Sequence, residues 1–253
     1  MLHIGIGAII ACGRQAADML IPAVCVACNT PLAAHDTLCP ACWQDVDFIR
    51  PPLCDRLGIP LPFDTGGAMV SAKALAEPPP YGRARAIARY SGVMRELIHG
   101  LKYGDQHHAV RLFARWLASA GAEILVETDL IVPVPLSRRK LWMRRFNQSA
   151  LVARALSVET GITQNTLLLE RVRHTASQVG LTLDQRQRNV QGAFAVPLTQ
   201  VSRVRGRAVT LVDDVITTGA TVGAATRALK AAGARRVDVL ALAMVTGDTV
   251  TNA

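Results

Sequence analysis

Near the C-terminus the residues from Ala208 to Val212 are almost wholly apolar and rich in β-branched side chains, the pattern of a central strand covered on both faces. Asp213 and Asp214 fall at its carboxyl end. Thr217, Thr218, Gly219, Ala220 and Thr221 follow as a small-residue turn, then a helix expected from about Thr221 to Ala232 and a last strand over Arg236 to Val245. Upstream, Ala84 to Tyr90 reads as a strand. Val93, Leu97 and Leu101 share one face of a helix over Val93 to Lys102, with Lys102 and Tyr103 at its end facing the later domain. A longer helix is expected from about His107 to Ala120, a second buried strand over Asp129 to Pro135 lying near the central one, and a helix from about Gln148 to Thr160. Strands alternating with helices predict an α/β domain built on a parallel sheet, with helices on both faces.

Residues 61–80 interrupt this rhythm. They are rich in Pro and Gly and end in Glu77-Pro78-Pro79-Pro80, so no regular element is expected there. The chain is thus divided into an N-terminal module over 1–60, a linker over 61–80 and the α/β domain over 81–253. Between Glu170 and Phe194 runs a long polar connection with helical character around Thr182 to Gln191. A lid and plain surface structure both suit it.

Composition changes the picture in two ways. Half of the 253 residues are hydrophobic and only 4% are aromatic, so the core should be built of Ala, Val and Leu. A formal net charge of +9 favours polyanionic partners: a pyrophosphate, a nucleic acid or an anionic surface. The apolar patch from Ile4 to Cys12 lacks a basic segment ahead of it, and Arg14 and Asp18 end it, which argues against a signal peptide or a membrane span. A short helix packed on the next module is expected there, with Cys12 buried in it.

Cys25, Cys28, Cys39 and Cys42 are spaced C-x2-C-x10-C-x2-C, two tight turns that each present two sulfurs. Together they suit one tetrahedral, structural Zn2+ with no open position for catalysis. Two disulfides are the competing reading. Thiolate ligands fit a reducing cytoplasm, and zinc would supply roughly 10–16 kcal/mol to so small a unit. Trp43 should pack against this ribbon. Cys54 begins a similar turn, Cys54-Asp55-Arg56-Leu57-Gly58, that lacks its second cysteine. Ser71 and Ala74 stand where another pair would be sought, so one zinc is expected and not two.

The acid pair and the loop after it suit a sugar phosphate. Carboxylates accept from ribose hydroxyls, while hydroxyls, backbone N–H groups and the dipole of the following helix hold a phosphate. Neither a G-x-G-x-x-G loop nor a G-x-x-x-x-G-K-[ST] loop occurs. Ser137 to Ser149 concentrates Arg138, Arg139, Lys140, Arg144 and Arg145 in a basic loop that could neutralise a pyrophosphate leaving group. His99, His107 and His108 are read as surface or packing residues.

The stretch VTLVDDVITTGAT, Val209 to Thr221, resembles the phosphoribosyl pyrophosphate (PRPP) signature of type I phosphoribosyltransferases. With the four cysteines, the strand VPVP, Arg144-x-Phe146-Asn147-Gln148, Arg171-x-Arg173-x-Thr175-x-x-Gln178, and Arg186-x-x-Asn189-x-x-Gly192-Ala193-Phe194, the chain is similar to the ComF family. That group is phosphoribosyltransferase-like, carries an N-terminal zinc ribbon and is associated with uptake of transforming DNA. The resemblance implies that Asp213 and Asp214 contact ribose hydroxyls and carry catalysis. It also implies that Thr217, Thr218, Gly219, Ala220 and Thr221 bind the 5′-phosphate, that Arg144 meets the pyrophosphate, and that Mg2+ accompanies PRPP.

Two positions depart from the pattern. Arg145 replaces the family's usual glycine, which narrows the allowed backbone conformations. Thr217 stands where purine-salvage enzymes of this fold have a proton-accepting acid, a role threonine cannot take at neutral pH. The resemblance therefore points away from purine bases, toward an orotate-like or amine acceptor or toward no turnover. A second reading is a non-catalytic competence factor that holds single-stranded DNA or a helicase, phosphate-led because aromatics are scarce. A regulator that senses PRPP is a third.

Overall fold

A computed structural model describes residues 22–64, 66–103, 109–173, 185 and 189–246. The expected N-terminal helix, Cys12, His107, His108 and most of the polar connection, with Thr175, Gln178 and Arg186, lie outside the described residues.

Strands β1 (Ala84–Arg89), β2 (Leu130–Pro133), β5 (Ala208–Ile216) and β6 (Arg236–Met244) form one parallel sheet in the order β1-β6-β5-β2. A short antiparallel pair, β3 (Glu170–Arg171) and β4 (Phe194–Ala195), lies outside it. β5 runs beyond the apolar stretch because Val215 and Ile216 still pair with Ala243 and Met244 of β6. The acids are thereby held within an ordered ladder, with Asp213 opposite Ala241.

Strand periodicity sorts the core into two layers. Val209 and Leu211 of β5, with Val237, Val239 and Ala241 of β6, join the layer that contains Val222, Ala225 and Leu229 of α9 (Ala220–Ala231). Val212, Leu240 and Leu242 belong to the opposite layer. There they meet Leu97 and Leu101 of α3 (Gly92–Tyr103), Phe113 and Leu117 of α4 (Ala109–Ala120), and Val152 and Leu156 of α7 (Gln148–Thr160). Each such side chain contributes about 1.5–3 kcal/mol by leaving water. The sheet is thus covered by helices on both faces, as the unbroken apolar run of β5 requires.

The other helices are short: α1 (Pro40–Gln44), α2 (Ala72–Ala76), α5 (Ala122–Leu125), α6 (Arg138–Arg144) and α8 (Val201–Val204). Two of them correct expectations. The stretch 61–80 contains α2, because Ser71 caps a run of good helix formers, its hydroxyl accepting the Ala74 N–H at 3.3 Å. The basic loop is likewise helical in its centre, where the Ser137 hydroxyl accepts the Lys140 N–H and starts α6. Arg145 ends α6 in the left-handed region, at φ 63°.

Trp43, on the ribbon helix α1, is 46% exposed. Its ring lies 4.9 Å from Phe48 and 5.6 Å from Trp116 of α4, so it joins ribbon to domain. Asp45 strengthens this joint by accepting the Val93 N–H in the first turn of α3.

Candidate functional site

Asp213 and Asp214 are half-buried near the carboxyl end of β5 and are held by different partners. Oδ2 of Asp214 accepts from Nζ of Lys102 at 2.9 Å and from Nε2 of Gln148 at 2.9 Å, while Oδ1 accepts the Val215 N–H at 2.7 Å. Asp213 has weaker company: Oδ1 accepts from the Ser149 hydroxyl at 3.4 Å and from the Asp214 N–H at 2.9 Å. Two adjacent carboxylates resist being charged together. Burial and then the charge of Asp214 push Asp213 up to about 7. Burial also works to raise Asp214, but the Lys102 ammonium and the Gln148 amide outweigh it and hold that carboxyl below its ordinary range. Near neutrality the pair carries its negative charge on Asp214.

The sequence Asn147-Gln148-Ser149 explains how the donors reach the acids. The Asn147 side chain caps α7 by accepting the Ser149 N–H at 3.1 Å and donates to the Val134 carbonyl at 3.1 Å, fastening the helix start to the exit of β2. β2 lies beside β5, so Gln148 and Ser149 enter the site from the next strand's helix. Gln148 is 2% exposed, and its Oε1 is buried without a hydrogen-bond partner among the described residues. An open acceptor beside Asp214 suits a ligand hydroxyl or a hydrated cation.

The loop after the acids has a left-handed Gly219, at φ 77°, before α9. A methyl group built on Gly219 would meet only the Tyr81 hydroxyl, at 3.6 Å, so backbone conformation and not crowding calls for glycine. Thr218 Oγ1 accepts the Ala220 N–H at 3.4 Å. Thr217 is exposed, Thr218, Gly219 and Thr221 are half-buried, and Ala220 is buried. The N-terminal turn of a helix as long as α9 is suited to an anion.

Arg144 is engaged with Tyr103: Nη2 donates to the phenol oxygen at 2.9 Å and the guanidinium carbon stands 4.8 Å from the ring centre. It therefore lies beside the residue that follows Lys102. His99 packs on the same ring, 4.8 Å between centres, as a packing residue. In the sequence, Gln148 and Ser149 are marked only as a helix start, through the Asn147 cap, and Lys102 as a candidate ligand residue whose pairing with Asp214 has no local signal.

In the ribbon, the Sγ atoms of Cys25, Cys28, Cys39 and Cys42 all lie within 4.8 Å of one another. All are free thiols, with Cys28 and Cys39 sulfurs 3.7 Å apart, which is the four-sulfur arrangement of a tetrahedral zinc site. Donation from Thr30 to the Cys28 sulfur draws that thiol down to about 6, while burial pushes Cys42 up. No helix of the described residues is long and apolar enough to cross a membrane.

Fold and cysteine cluster together define a zinc ribbon joined to a phosphoribosyltransferase-type domain. Family models agree: a double zinc ribbon domain matches residues 16–74 and a phosphoribosyl transferase domain matches 149–249. The DNA utilization protein YhgH of Salmonella typhimurium is 33% identical over 233 residues, 88% of this chain and 98% of that protein. Competence protein F of Haemophilus influenzae is 30% identical over 225 residues, 87% of this chain and 96% of its own length. The chain belongs to this ComF family. Among solved structures, the glutamine PRPP amidotransferase of B. subtilis, complexed with ADP and GMP, aligns over 57% of this chain and 30% of its own, at 22% identity and a TM-score of 0.40.

Proposed function

We propose that the chain binds PRPP with Mg2+ and transfers its ribosyl 5-phosphate group to a nucleophilic acceptor, in the handling of incoming DNA. The observation that carries this reading is the carboxylate pair near the carboxyl end of β5, followed directly by a left-handed glycine and the first turn of α9. Asp214, held ionised by Lys102, accepts from a ribose hydroxyl, and Asp213 does so once it has lost its proton. Thr217 to Thr221 hold the 5′-phosphate, and Arg144 with its neighbours on α6 faces the leaving pyrophosphate. Gln148 Oε1 and the two acids are the groups that would hold Mg2+ or its water, and the ion would supply charge neutralisation for the pyrophosphate. Transfer would then rest on positioning and charge stabilisation. The names of the relatives, DNA utilization protein and competence protein F, support the link to DNA. Four zinc-ready thiols support a cytoplasmic setting. Titration calorimetry of PRPP with Mg2+ tests the site. Unchanged binding in an Asp213→Asn, Asp214→Asn double variant would remove these residues from it, and mass spectrometry with labelled PRPP and cell extract would identify the acceptor.

A specific surface favours the second reading, a phosphate-led grip on single-stranded DNA. Trp142 is 84% and Tyr103 64% exposed, standing among Arg139, Lys140, Arg144 and Arg145. Trp142 offers a base an exposed ring on this cationic helix, while Tyr103 is already engaged by Arg144 and His99. Absence of single-stranded DNA binding at low salt would exclude this use of α6.

A further inference from the structure

Two ribbons, not one, precede the sheet, and their backbones repeat each other bond for bond. In the first knuckle Cys25 N–H donates to the Thr30 carbonyl at 2.8 Å, Asn29 N–H to the Cys25 carbonyl at 2.9 Å and Leu32 N–H to the Ala23 carbonyl at 2.8 Å. The stretch around Cys54 makes the same bonds: Cys54 to Ile59, Gly58 to Cys54 and Leu61 to Pro52, each at 2.8 Å. Asn29 and Gly58 are both left-handed, with φ of 61° and 67°. The second knuckles also correspond. Cys39 N–H donates to the Cys25 sulfur at 3.3 Å, and Ser71 N–H to the Cys54 sulfur at 3.2 Å. Cys42 N–H donates to the Cys39 sulfur at 3.5 Å, and Ala74 N–H to the Ser71 hydroxyl at 3.3 Å. Cys39 and Ser71 each cap a five-residue helix.

The four ligand positions of the second ribbon are therefore Cys54, Leu57, Ser71 and Ala74. One thiol, a hydroxyl and two alkyl groups cannot hold zinc. The Cys54 sulfur, fully buried, instead accepts from the backbone N–H groups of Leu57 and Ser71, and the Ser71 hydroxyl closes the second turn.

The turn that would face a metal is spent on the sheet. Arg56 donates from Nε to the Gly82 carbonyl at 2.7 Å and from Nη2 to the carbonyls of Pro79 and Tyr81, at 3.0 and 2.8 Å. Its own carbonyl accepts the Ala84 N–H at 2.9 Å. Arg85 of β1 donates to the Asp55 carbonyl at 2.8 Å, and a methyl group on Gly58 would lie 2.2 Å from the Ala84 carbonyl oxygen. The gripped segment passes directly under the anion loop. Pro80 lies 3.4 Å from where a methyl group on Gly223 of α9 would sit, and the Tyr81 hydroxyl 3.6 Å from one on Gly219.

We propose that residues 52–77 form a second ribbon that folds without metal, and that its knuckle braces β1 and the segment beneath residues 217–221. Arg56 is then a positioning residue for that loop. This redraws the expected linker, since 61–77 becomes half of a ribbon.

Metal analysis of the purified full-length chain tests the first half. The expected content is one zinc per chain in the wild type and in Cys54→Ala, and two in a Leu57→Cys, Ser71→Cys, Ala74→Cys variant that refills the knuckles. Two zincs in the wild type overturn the proposal, as does one in a folded triple variant or none in Cys54→Ala. Hydrogen exchange on Arg56→Ala tests the brace without any ligand. Amides of 219–222 should exchange at least tenfold faster, with zinc still at one per chain. Unchanged exchange there overturns the brace, whatever the outcome of PRPP titration.

Discussion

The Lys102 ammonium stands 2.9 Å from Oδ2 of Asp214, and both side chains are largely buried, at 17% and 15% exposure. An acid placed near the end of a strand to meet a ribose thus carries a counter-ion contributed by a helix packed on the opposite layer of the sheet. The pairing decides which aspartate is charged, and it fixes the last turn of α3 against β5. Removing the cation leaves a half-buried carboxylate with only neutral donors. Lys102→Met should lower stability by about 1–3 kcal/mol in urea melts. It should also make PRPP binding more dependent on Mg2+, because the ion then supplies the positive charge that Lys102 placed against Asp214. Equal Mg2+ dependence in both proteins would show that Lys102 does not balance the site.

The two acids pull stability in opposite directions with pH. Asp213, raised to about 7, keeps in the folded state a proton that the unfolded chain releases near 4. Its contribution therefore falls as pH rises from about 4 to about 7 and is flat above. Asp214 is lowered, so its contribution is present above the ordinary carboxylate range and lost as pH falls through its folded value. A tenfold change in proton affinity is worth about 1.4 kcal/mol, so Asp213→Asn should remove a penalty on the order of 2–4 kcal/mol that builds up between pH 4 and 7. Asp214→Asn should destabilise at neutral pH, where its bond to Lys102 is formed. Denaturant midpoints between pH 4.5 and 8 read both effects, and the same slope in wild type and Asp213→Asn would place the titrating group elsewhere.

Zinc removal should act locally. Cys28→Ser breaks the four-sulfur cluster, and the loss should release the metal and unfold the first ribbon, whose few apolar residues cannot replace roughly 10–16 kcal/mol of binding. Trp43 packs in a three-ring cluster with Phe48 and Trp116, so its near-ultraviolet circular dichroism should collapse while the far-ultraviolet signal of the sheet remains. Loss of both signals together would mean that the ribbon and the sheet fold as one unit.

The elements that could be read from the sequence are those whose signal is local. β5 opens and β6 ends on an apolar run, and α7 has both its boundaries written in the chain, by the Asn147 cap and by Gly161 at φ 74°. The acid pair and its loop were equally plain. What escaped depends on contacts between distant residues. Lys102 and Asp214 meet only because α3 lies over the sheet. The helix α6 has exposed Leu141, Trp142 and Met143 and therefore no apolar face to announce it. Of the second ribbon the sequence shows the turn at Cys54 and the places of Ser71 and Ala74, but not its grip on β1, which is made by Arg56 and backbone groups far along the chain.

Gly219 offers a test of the anion loop that does not touch charge. With φ at 77° and only an ordinary 3.6 Å contact to the Tyr81 hydroxyl for a built methyl group, Gly219→Ala imposes a backbone penalty of about 1–2 kcal/mol and no clash. The chain should stay folded with its zinc content unchanged, and PRPP affinity should fall roughly tenfold as the loop relaxes away from the left-handed turn. Undiminished affinity in calorimetry would show that the phosphate does not depend on this turn.

Arg145 is the reverse case, a bulky residue where the backbone asks for glycine. It closes α6 at φ 63° and ψ −12°, a left-handed conformation that glycine adopts freely and arginine does not. Arg145→Gly should therefore stabilise the fold by about 0.5–1 kcal/mol, the relief of strain being partly offset by the greater freedom of glycine in the unfolded chain. The same change removes one cation from the rim of the site. If the arginine is kept for its charge, PRPP or single-stranded DNA will bind more weakly to the more stable variant, and the loss will shrink as salt is raised. A variant that is more stable and binds both ligands unchanged would show that neither contact uses Arg145.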